Sequence, residues 1–372
     1  MELICRHEKL NQALSLAARV VPSRSELPIL NNLLLRTEEA HLAILATNLQ
    51  LSLYFQIPAE IKSAGAITAP ASALQAYVSS WPRDKVEIKL EGSKLQLKDE
   101  RAEASFVTMP ADDYPTFPQK KEEDLFRFQT ETLAYLIKKV KFSTAIEESR
   151  PVLTGILVKV KENEVTMVST DGFRLSEVRG KLKTPSTIER SFIIPVAAFQ
   201  ELEKLFSAGS DEVRFYLTQD ENQIIFDLLH LQLATRLLEA EYPDYEKILP
   251  QDFQLNAVVS QRELLQALRS VAIFAQHNGQ TVYLTFDKDH LTLAAQSAEL
   301  GSTRIELPAE IKGGPLKMAF NVNFLREGVE AIDGEELKLE AKDPLAPIKL
   351  SAPEQKDYFH IIMPIRMEES EA

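Results

Sequence analysis

An apolar spacing that suits one face of an α-helix occurs three times along the chain. Leu10, Leu14, Ala17 and Val21 follow one another at steps of four, three and four residues. The spacing recurs 123 residues later and again after a further 131 residues, at Leu133, Ile137, Val140 and Thr144 and then at Leu264, Leu268, Val271 and Ala275. Side chains spaced in this way lie on one side of a helix. The pattern predicts three equivalent helices over residues 7–21, 131–145 and 261–275.

Other elements repeat in the same register. Strand-like alternation of apolar positions follows each of these helices, at residues 42–46, 165–169 and 291–295. Second helices are predicted over residues 70–80, 195–207 and 321–332, each followed by further alternating segments and turn signals. Two helices and two strand-rich stretches per unit predict an α+β fold of three tandem domains, in which helices cover one face of antiparallel sheets.

Segments rich in proline and charge separate the three units. They lie near residues 115–123 and 243–252. We therefore expect domains at residues 1–120, 121–249 and 250–372. Units of this length are too long for a solenoid repeat of roughly 20–50 residues. Three large equal units suggest instead an arc, which a homo-oligomer would complete as a ring.

The composition is that of a soluble globular protein, since 45% of the residues are hydrophobic and 26% are charged. The single cysteine, Cys5, rules out an internal disulfide and fits a reducing compartment. Mixed charges near the N-terminus are unlike a secretory signal. No apolar run approaches the roughly 18 residues of a membrane span. We expect a cytoplasmic protein with no membrane partner.

The net charge of −13 at first argues against nucleic acid as a partner. Its distribution changes this picture, because the three first helices of the units hold seven basic and only three acidic residues. The acidic protein thus contains one mildly basic class of helix. Charge of this kind also occurs on the solvated face of an ordinary helix, so both interpretations stay open.

Signatures of catalysis and of cofactor or metal binding are missing. The 12 glycines form no GxGxxG motif, and the six histidines never fall at zinc-ligand spacing. The segment 287–289 begins like a calcium loop, but Leu291 stands at the fifth position of that loop. Asp171-Gly172-Phe173 reverses the order of the kinase motif. The sequence therefore predicts no catalytic residues, no cofactor and no metal site.

Two segments remain unusual. Residues 169–175 place Asp171-Gly172 between two predicted strands, where glycine suits a tight turn. Residues 359–367 begin as an apolar strand, and Pro364 then prevents further pairing. This terminal segment is either a packed final strand or the lining of an exposed groove, where flexible methionine side chains suit variable partners.

Four motifs in order resemble the bacterial DNA polymerase III β subunits, the replicative sliding clamps. They are LPILNNLLL at 27–35, TDGFRL at 170–175, YPDY with ILP within 242–250, and IMPIR at 362–366. The resemblance covers the chain from its first helix to Met367. In that family two chains join head to tail into a ring of six similar domains, with sheets outside and twelve helices around duplex DNA. The resemblance implies a homodimeric, non-catalytic processivity factor of the replicative DNA polymerase that works at the nucleoid.

The resemblance also implies contacts between basic side chains and the phosphates of double-stranded DNA. A helix of 15 residues is about 22 Å long, enough to reach backbone on both sides of a groove. The expected contacts are Lys9, Lys138, Lys139, Lys141, Arg262 and Arg269 on the first helices and Arg24 in a loop. Phosphate contacts read no base sequence and are weak at physiological salt, as sliding requires.

A further implication is a groove between the second and third domains that binds a short peptide. Its partners would be the polymerase catalytic subunit, the clamp loader, translesion polymerases and mismatch-repair proteins. The matching positions are Arg150, Leu153, Thr170, Gly172, Phe173, Arg174, Leu175, Pro243, Ile248, Ile361, Met363, Pro364, Ile365, Arg366 and Met367. Leucine and phenylalanine anchors would enter the apolar part. Gly172 would admit the peptide close to the backbone, and Arg174 and Arg366 would bind its oxygens.

The chain departs from the family at two places. Phe173 stands where many members have histidine, which affects polar contacts at the groove rim. The acidic residues 368–372 extend the usual end of the chain and either form a solvated tail or select partner peptides by charge. For the dimer joint, the resemblance places Ile273 and Phe274 against the first domain of the other chain, with burial in their own domain as the alternative.

Two other functions compete with the clamp. One is an enzyme that uses the Asp171–Arg174 turn together with Asp244. The other is a clamp-like paralogue, or a peptide-binding module, that does not load on DNA. The cluster of Lys138, Lys139 and Lys141 argues against the second alternative, since a protein that never surrounds DNA needs no basic inner helix.

Overall fold

The computed structural model describes residues 1–22, 24–80, 84–99, 101–147, 149–184, 186, 188–250 and 252–367. The acidic residues 368–372 lie outside the described residues. Within the described ranges, no helix has both the length and the apolar character needed to cross a bilayer.

The described residues contain six α-helices, two in each repeat. They are α1 His7–Ala17, α2 Ala71–Ser80, α3 Thr130–Val140, α4 Val196–Leu205, α5 Gln261–Ala275 and α6 Val322–Ala331. Short 3-10 helices cover Pro28–Asn31, Lys141–Ser143, Pro151–Thr154 and Tyr245–Ile248. The second helix of each repeat lies within two residues of its predicted bounds. The predicted α5 is also correct, and the Ser260 side chain caps it by accepting a hydrogen bond from the Glu263 amide at 3.4 Å.

The predicted C-terminal ends of α1 and α3 are wrong, because both helices stop earlier. In α1 the helix ends before Val21, which precedes Pro22 and is therefore biased against helical geometry. In α3 the Ser169 hydroxyl donates to the Val140 carbonyl at 2.5 Å and replaces the next helical hydrogen bond. A 3-10 turn follows at Lys141–Ser143. The apolar stripe nevertheless holds, since all of its members except Val21 are buried.

The described residues of each repeat form eight strands. In the first repeat these are β1 Glu2–Arg6, β2 Asn32–Glu38, β3 His41–Thr47, β4 Leu51–Ser63, β5 Ala66–Pro70, β6 Lys85–Glu91, β7 Lys94–Lys98 and β8 Glu103–Val107. In the second they are β9 Phe126–Gln129, β10 Gly155–Lys161, β11 Glu164–Thr170, β12 Arg174–Lys181, β13 Arg190–Pro195, β14 Glu212–Leu217, β15 Gln223–Asp227 and β16 Leu231–Arg236. In the third they are β17 Leu255–Ser260, β18 Thr281–Asp287, β19 His290–Ser297, β20 Gly301–Lys312, β21 Leu316–Asn321, β22 Glu336–Ala341, β23 Ile348–Ser351 and β24 Tyr358–Ile362.

The strands form two antiparallel sheets, and each sheet belongs to one compact unit. The first unit comprises Met1–Leu133, Leu182–Ile188 and Ala197–Leu237, and the second comprises Ala134–Lys181, Glu189–Val196 and the described residues from Leu238 onward. The sheet of the first unit has the order β8-β7-β6-β1-β4-β16-β15-β14-β9, with β2, β3 and β5 branching from β4. The sheet of the second unit has the order β13-β10-β11-β12-β24-β23-β22-β17-β20-β19-β18-β21.

The same strand joint links neighbouring repeats in both units. The fourth strand of one repeat pairs with the eighth strand of the next, as β4 with β16 and β12 with β24. Within the described residues, one edge of β8 has no strand partner. The N-terminal part of β20 also pairs on one side only, with β19. The predicted α+β fold of three repeats is confirmed, and the strands with an open edge among the described residues include β8 of the first repeat and the N-terminal part of β20 of the third.

Candidate peptide groove and nucleic-acid surface

The turn between β11 and β12 is fixed by its own side chains. One oxygen of Asp171, Oδ1, accepts hydrogen bonds from the amides of Phe173 at 2.9 Å and Arg174 at 3.0 Å. The Thr170 hydroxyl accepts from the Gly172 amide at 3.1 Å and donates to the Arg174 carbonyl at 2.6 Å. Gly172 has φ +92°, and the only atom near an added Cβ would be Arg150 Nη1 at 3.8 Å. The backbone conformation, rather than lack of space, therefore requires glycine here.

The C-terminal segment after β24 runs beside this turn. The Met363 amide donates to the Phe173 carbonyl at 2.8 Å, and the Ile365 amide donates to the Ala319 carbonyl of β21 at 2.7 Å. Pro364 between them has no amide hydrogen to donate. The two hydrogen bonds hold residues 363–365 between the turn and β21.

An apolar cluster lies beneath the turn and the C-terminal segment. Its buried members are Leu157, Val168, Leu175, Ile193, Tyr245 and Ile361, and partly buried Val152, Leu238, Tyr242, Leu249 and Phe359 pack against them. The members come from strands β10–β13 of the second repeat, from the linker at residues 238–249 and from β24 of the third repeat. The cluster therefore sits where the second and third repeats share one sheet.

Large apolar side chains at this site face solvent. Phe173 is 64% exposed, Ile248 54% and Met363 41%. An exposed group of apolar side chains over a preformed apolar floor is typical of a surface that binds a partner. We call the site formed by these three residues and the apolar cluster the groove.

All of the sequence-predicted groove residues belong to the second unit. Leu153, Thr170, Leu175 and Ile361 are buried, and Pro364, Ile365 and Met367 are partly exposed. The exposed members are Arg150, Gly172, Phe173, Pro243, Ile248, Met363 and Arg366. Their exposure agrees with a site that is open to a peptide, whose binding remains a prediction.

The role predicted for Arg174 requires correction. Its side chain is buried, and each of its three nitrogens donates to a protein oxygen. Nε donates to Asp171 Oδ2 at 2.9 Å, Nη1 to Glu327 Oε2, and Nη2 to the Phe142 carbonyl at 2.6 Å. The guanidinium also lies 4.4 Å from the centre of the Phe324 ring. Arg174 therefore supports the turn from inside and does not present its guanidinium to a peptide oxygen.

Sequence reasoning missed several residues of the groove floor. Tyr242, Tyr245 and Leu249 belong to a motif that was recognised, although only Pro243 and Ile248 were selected from it. Leu157 and Val168 pair with each other on neighbouring strands, and Val168 lies beside Leu175 in the cluster. The alternation of apolar residues along β10–β12 could have indicated these residues. Side chains on the same face of the sheet as Leu175, which had been selected, line the same surface.

The basic candidates on the first helices differ in exposure. Lys9, Arg24, Lys138, Arg262 and Arg269 are exposed, and Lys141 is partly exposed. Arg269 lies 3.8 Å from the Glu330 carboxylate of α6, at a distance where both side chains keep most of their hydration. These residues lie outside the buried apolar stripe, and their contact with DNA remains a prediction.

Lys139 is removed from the DNA-binding candidates, because only 1% of the residue is exposed. Its Nζ donates to the Ala331 carbonyl at the end of α6 and lies 2.7 Å from Asp333 Oδ2. The rings of Tyr135 and Tyr358 each lie with their centres 5.0 Å from that nitrogen. Burial lowers the pKa of Lys139, and the Asp333 carboxylate opposes this shift by raising it. A phosphate has no access to this ammonium group in the structure.

The two candidates for the dimer joint are accessible. Ile273 is 58% exposed and Phe274 is partly exposed at the end of α5. Burial of Ile273 within its own domain, the alternative from sequence, is therefore wrong. Its contact with a second chain remains a prediction.

The described residues bear on the alternative of a metal or enzyme site. No group of three or more His, Cys, Asp or Glu side chains within them is placed to hold a metal ion. Asp171 is fully engaged in its turn, and Asp244 forms an exposed ion pair with Lys247 at 2.7 Å. The two carboxylates of the alternative catalytic site thus have structural partners.

Comparisons with known proteins agree along the whole chain. Family models described as the N-terminal, central and C-terminal domains of the DNA polymerase III beta subunit match residues 1–118, 127–244 and 246–366. The beta sliding clamp of Synechococcus elongatus is 31% identical over 375 residues, covering 99% of this chain and 100% of that protein.

Solved structures show the same architecture. The DNA polymerase III subunit beta of Pseudomonas aeruginosa has 28% identity and a TM-score of 0.93, covering 99% of this chain and 100% of that one. The DNA polymerase sliding clamp of Bacillus subtilis has 24% identity and a TM-score of 0.95 with the same coverage, and it supports the fold. Three clamp domains with a groove at one joint define the class of DNA clamps. This chain belongs to the DNA polymerase III beta subunit family, the bacterial sliding clamps.

Proposed function

We propose that two copies of this chain close into a ring around duplex DNA and that the ring tethers the replicative polymerase to its template. The open strand edges of the first and third repeats carry this proposal. Both internal joints pair the fourth strand of one repeat with the eighth strand of the next. The same joint between two chains would pair β20 of one with β8 of the other. Two such joints would pair the open edges of β8 and β20 in both chains and close a head-to-tail dimer.

The internal symmetry also predicts the register of this joint. Leu53 pairs with Leu233 at the first joint, and Ser176 pairs with His360 at the second. Thr303 of β20 is equivalent to Leu53 and Ser176, and Ala104 of β8 is equivalent to Leu233 and His360. Each residue of a set has the same place in the pairing of its strand with the neighbouring strands of its own repeat. In this register the neighbouring charged side chains are complementary, since Glu103 faces Arg304 and Arg101 faces Glu306. Ile273 and Phe274 of α5 would complete the interface.

We propose domain bounds of 1–120, 121–249 and 250–372, which the three family matches support to within about ten residues. The exposed and partly exposed basic residues of the first helices, with Arg24, would contact DNA phosphates. They are Lys9, Arg24, Lys138, Lys141, Arg262 and Arg269. Few and solvated contacts give weak binding without base specificity, so that the closed ring and not affinity keeps the protein on DNA.

The groove would bind linear peptides of the polymerase catalytic subunit, the clamp loader, translesion polymerases and mismatch-repair proteins. Its apolar floor suits leucine and phenylalanine anchors, and its exposed rim leaves room for partners that differ in their other residues. The protein would act without catalysis of its own, in the cytoplasm at the nucleoid.

Primer extension tests this function. With the cognate polymerase, clamp loader and ATP, the protein should lengthen the product made in one polymerase binding event. A peptide that fills the groove should abolish this gain. A paralogue that binds peptides without loading on DNA would bind the same peptide and leave the product length unchanged.

A further inference from the structure

Arg174 connects the groove to helix α6. Its guanidinium lies between the Asp171 carboxylate of the turn and the Glu327 carboxylate of α6, and it stacks on Phe324 of the same helix. Asp171 uses its other oxygen to shape the turn, and the Phe173 carbonyl of that turn holds the Met363 amide. A chain of charged and backbone hydrogen bonds thus runs from α6 through the turn at residues 170–173 to Met363.

Helix α6 is in turn fixed at two further points. His360 of β24 packs so closely on Gly328 that an added Cβ would lie 2.4 Å from its ring. Lys139 of α3 donates to the Ala331 carbonyl at the end of α6. Glu327 directly precedes Gly328 in the helix, and its side chain is 37% exposed. The carboxylate is therefore held in place by the helix without being part of the buried core.

We propose that Glu327 is a positioning residue of the peptide groove. It contacts no peptide, but it holds the Arg174 guanidinium where that group fixes Asp171 and therefore the conformation of residues 170–173. Without the charge of Glu327, Arg174 loses one of two carboxylate partners and the turn samples other conformations. Only the fraction of molecules with the ordered turn binds peptide, and the apparent affinity falls by that fraction. This inference rests on the proposed peptide function of the groove.

The test compares Glu327→Gln with Glu327→Asp and with a matched control on the same helix. Glu330→Gln removes an exposed carboxylate whose partner is Arg269 and not the groove. The probe is a fluorescein-labelled synthetic peptide of about ten residues that ends in Leu-Phe. Binding is measured by anisotropy and stopped flow, and amide hydrogen exchange is followed at Phe173, Arg174 and Met363.

We expect Glu327→Gln to weaken peptide binding by about fivefold, mainly through slower association. Exchange should become faster at the three amides while the melting temperature stays within about 2 °C. Glu327→Asp should recover part of the affinity, and Glu330→Gln should behave as wild type. Unchanged affinity and exchange in Glu327→Gln would overturn the inference, and so would a loss that only follows a lowered melting temperature. Failure of the wild-type protein to bind the peptide would instead overturn the groove function, and the inference with it.

Discussion

Leu175 of the second repeat lies directly opposite Ile361 of the third in the pairing of β12 with β24, and both side chains are buried in the cluster beneath the groove. The strand joint that links two domains therefore also builds the binding site. Tyr245 of the linker contributes to the same cluster. Since its floor requires residues of both domains, neither the central nor the C-terminal domain forms this groove by itself.

Truncation of the exposed groove side chains should weaken peptide binding. Ile248→Ala and Met363→Ala remove apolar surface that faces solvent in the free protein and that a peptide would cover. We expect each variant to lower affinity by about five- to tenfold, as measured by calorimetry. The melting temperature should not change, because neither side chain belongs to the buried core.

The control is Leu345→Ala. Leu345 is similarly exposed but lies in the turn between β22 and β23, outside the groove cluster. It should leave peptide affinity unaltered. An equal loss in Leu345→Ala would show that the effect is not specific to the groove.

Two adjacent lysines of α3 should give opposite phenotypes. Lys138→Ala should weaken DNA binding and reduce the slope of log affinity against log salt by about one, without loss of stability. Lys139→Ala should leave the salt slope unchanged and destabilise the protein by about 2 kcal/mol, because the buried Ala331 carbonyl loses its charged donor. Filter binding and urea unfolding measure the two effects. A salt slope that falls with Lys139→Ala would contradict the burial of this side chain.

The contrast between these lysines shows where sequence analysis of the site fails. The spacing of apolar residues predicted the repeats and helices, because burial of one helix face leaves a period that can be seen in the sequence. The same pattern gives no information about Lys139, which lies beside the apolar stripe of α3 and contacts residues of another repeat. Lys139 meets residues almost 200 positions away, and no local signal reports such a contact.

Complementary charges at the proposed dimer joint allow a charge-swap test. Glu103→Arg should place two arginines opposite each other and weaken the dimer, and Arg304→Glu should do the same with two carboxylates. The two substitutions together restore an opposite-charge pair and should recover most of the lost affinity. Analytical ultracentrifugation of dilute protein measures the dimer dissociation constant. Additive losses in the double variant would argue against this register.

The buried His360 should make stability depend on pH. Burial, and to a lesser extent the charge of Arg174, lowers the pKa of His360 to about 3, and its Nδ1 is 2.8 Å from the Ser176 hydroxyl. The unfolded chain binds this proton below a pH of about 6.5, whereas the folded protein does not bind it until a pH of about 3. This contribution to the free energy of unfolding is therefore complete above pH 6.5. It is lost as the pH falls from 6.5 toward 3, by up to about 1.4 kcal/mol per pH unit.

Urea unfolding of the wild type and of His360→Gln between pH 7 and pH 4.5 isolates this effect. The wild type should lose more stability across the range than the variant, whatever the absolute stability of the variant. Parallel curves would mean that His360 becomes protonated in the folded protein.

Some properties of the groove residues could be predicted from the sequence, and others could not. Gly172 and Pro364 could be identified from the sequence. Glycine is the residue type that suits a tight turn, and proline marks the point where strand pairing ends. The internal role of Arg174 could not be identified from the sequence, because its partners Glu327 and Phe142 come from distant segments. The early end of α3 has a similar cause, since the Ser169 hydroxyl replaces the helical hydrogen bond at Val140.

The most direct test of the account is retention of the protein on DNA circles. The protein is loaded on closed circular DNA with a matching clamp loader and ATP, and retention is compared before and after the circle is linearised. Persistence on circles with rapid loss from linear ends is the result that a closed ring predicts. Equal loss from circular and linear DNA would contradict encirclement and favour a protein that binds peptides without surrounding DNA.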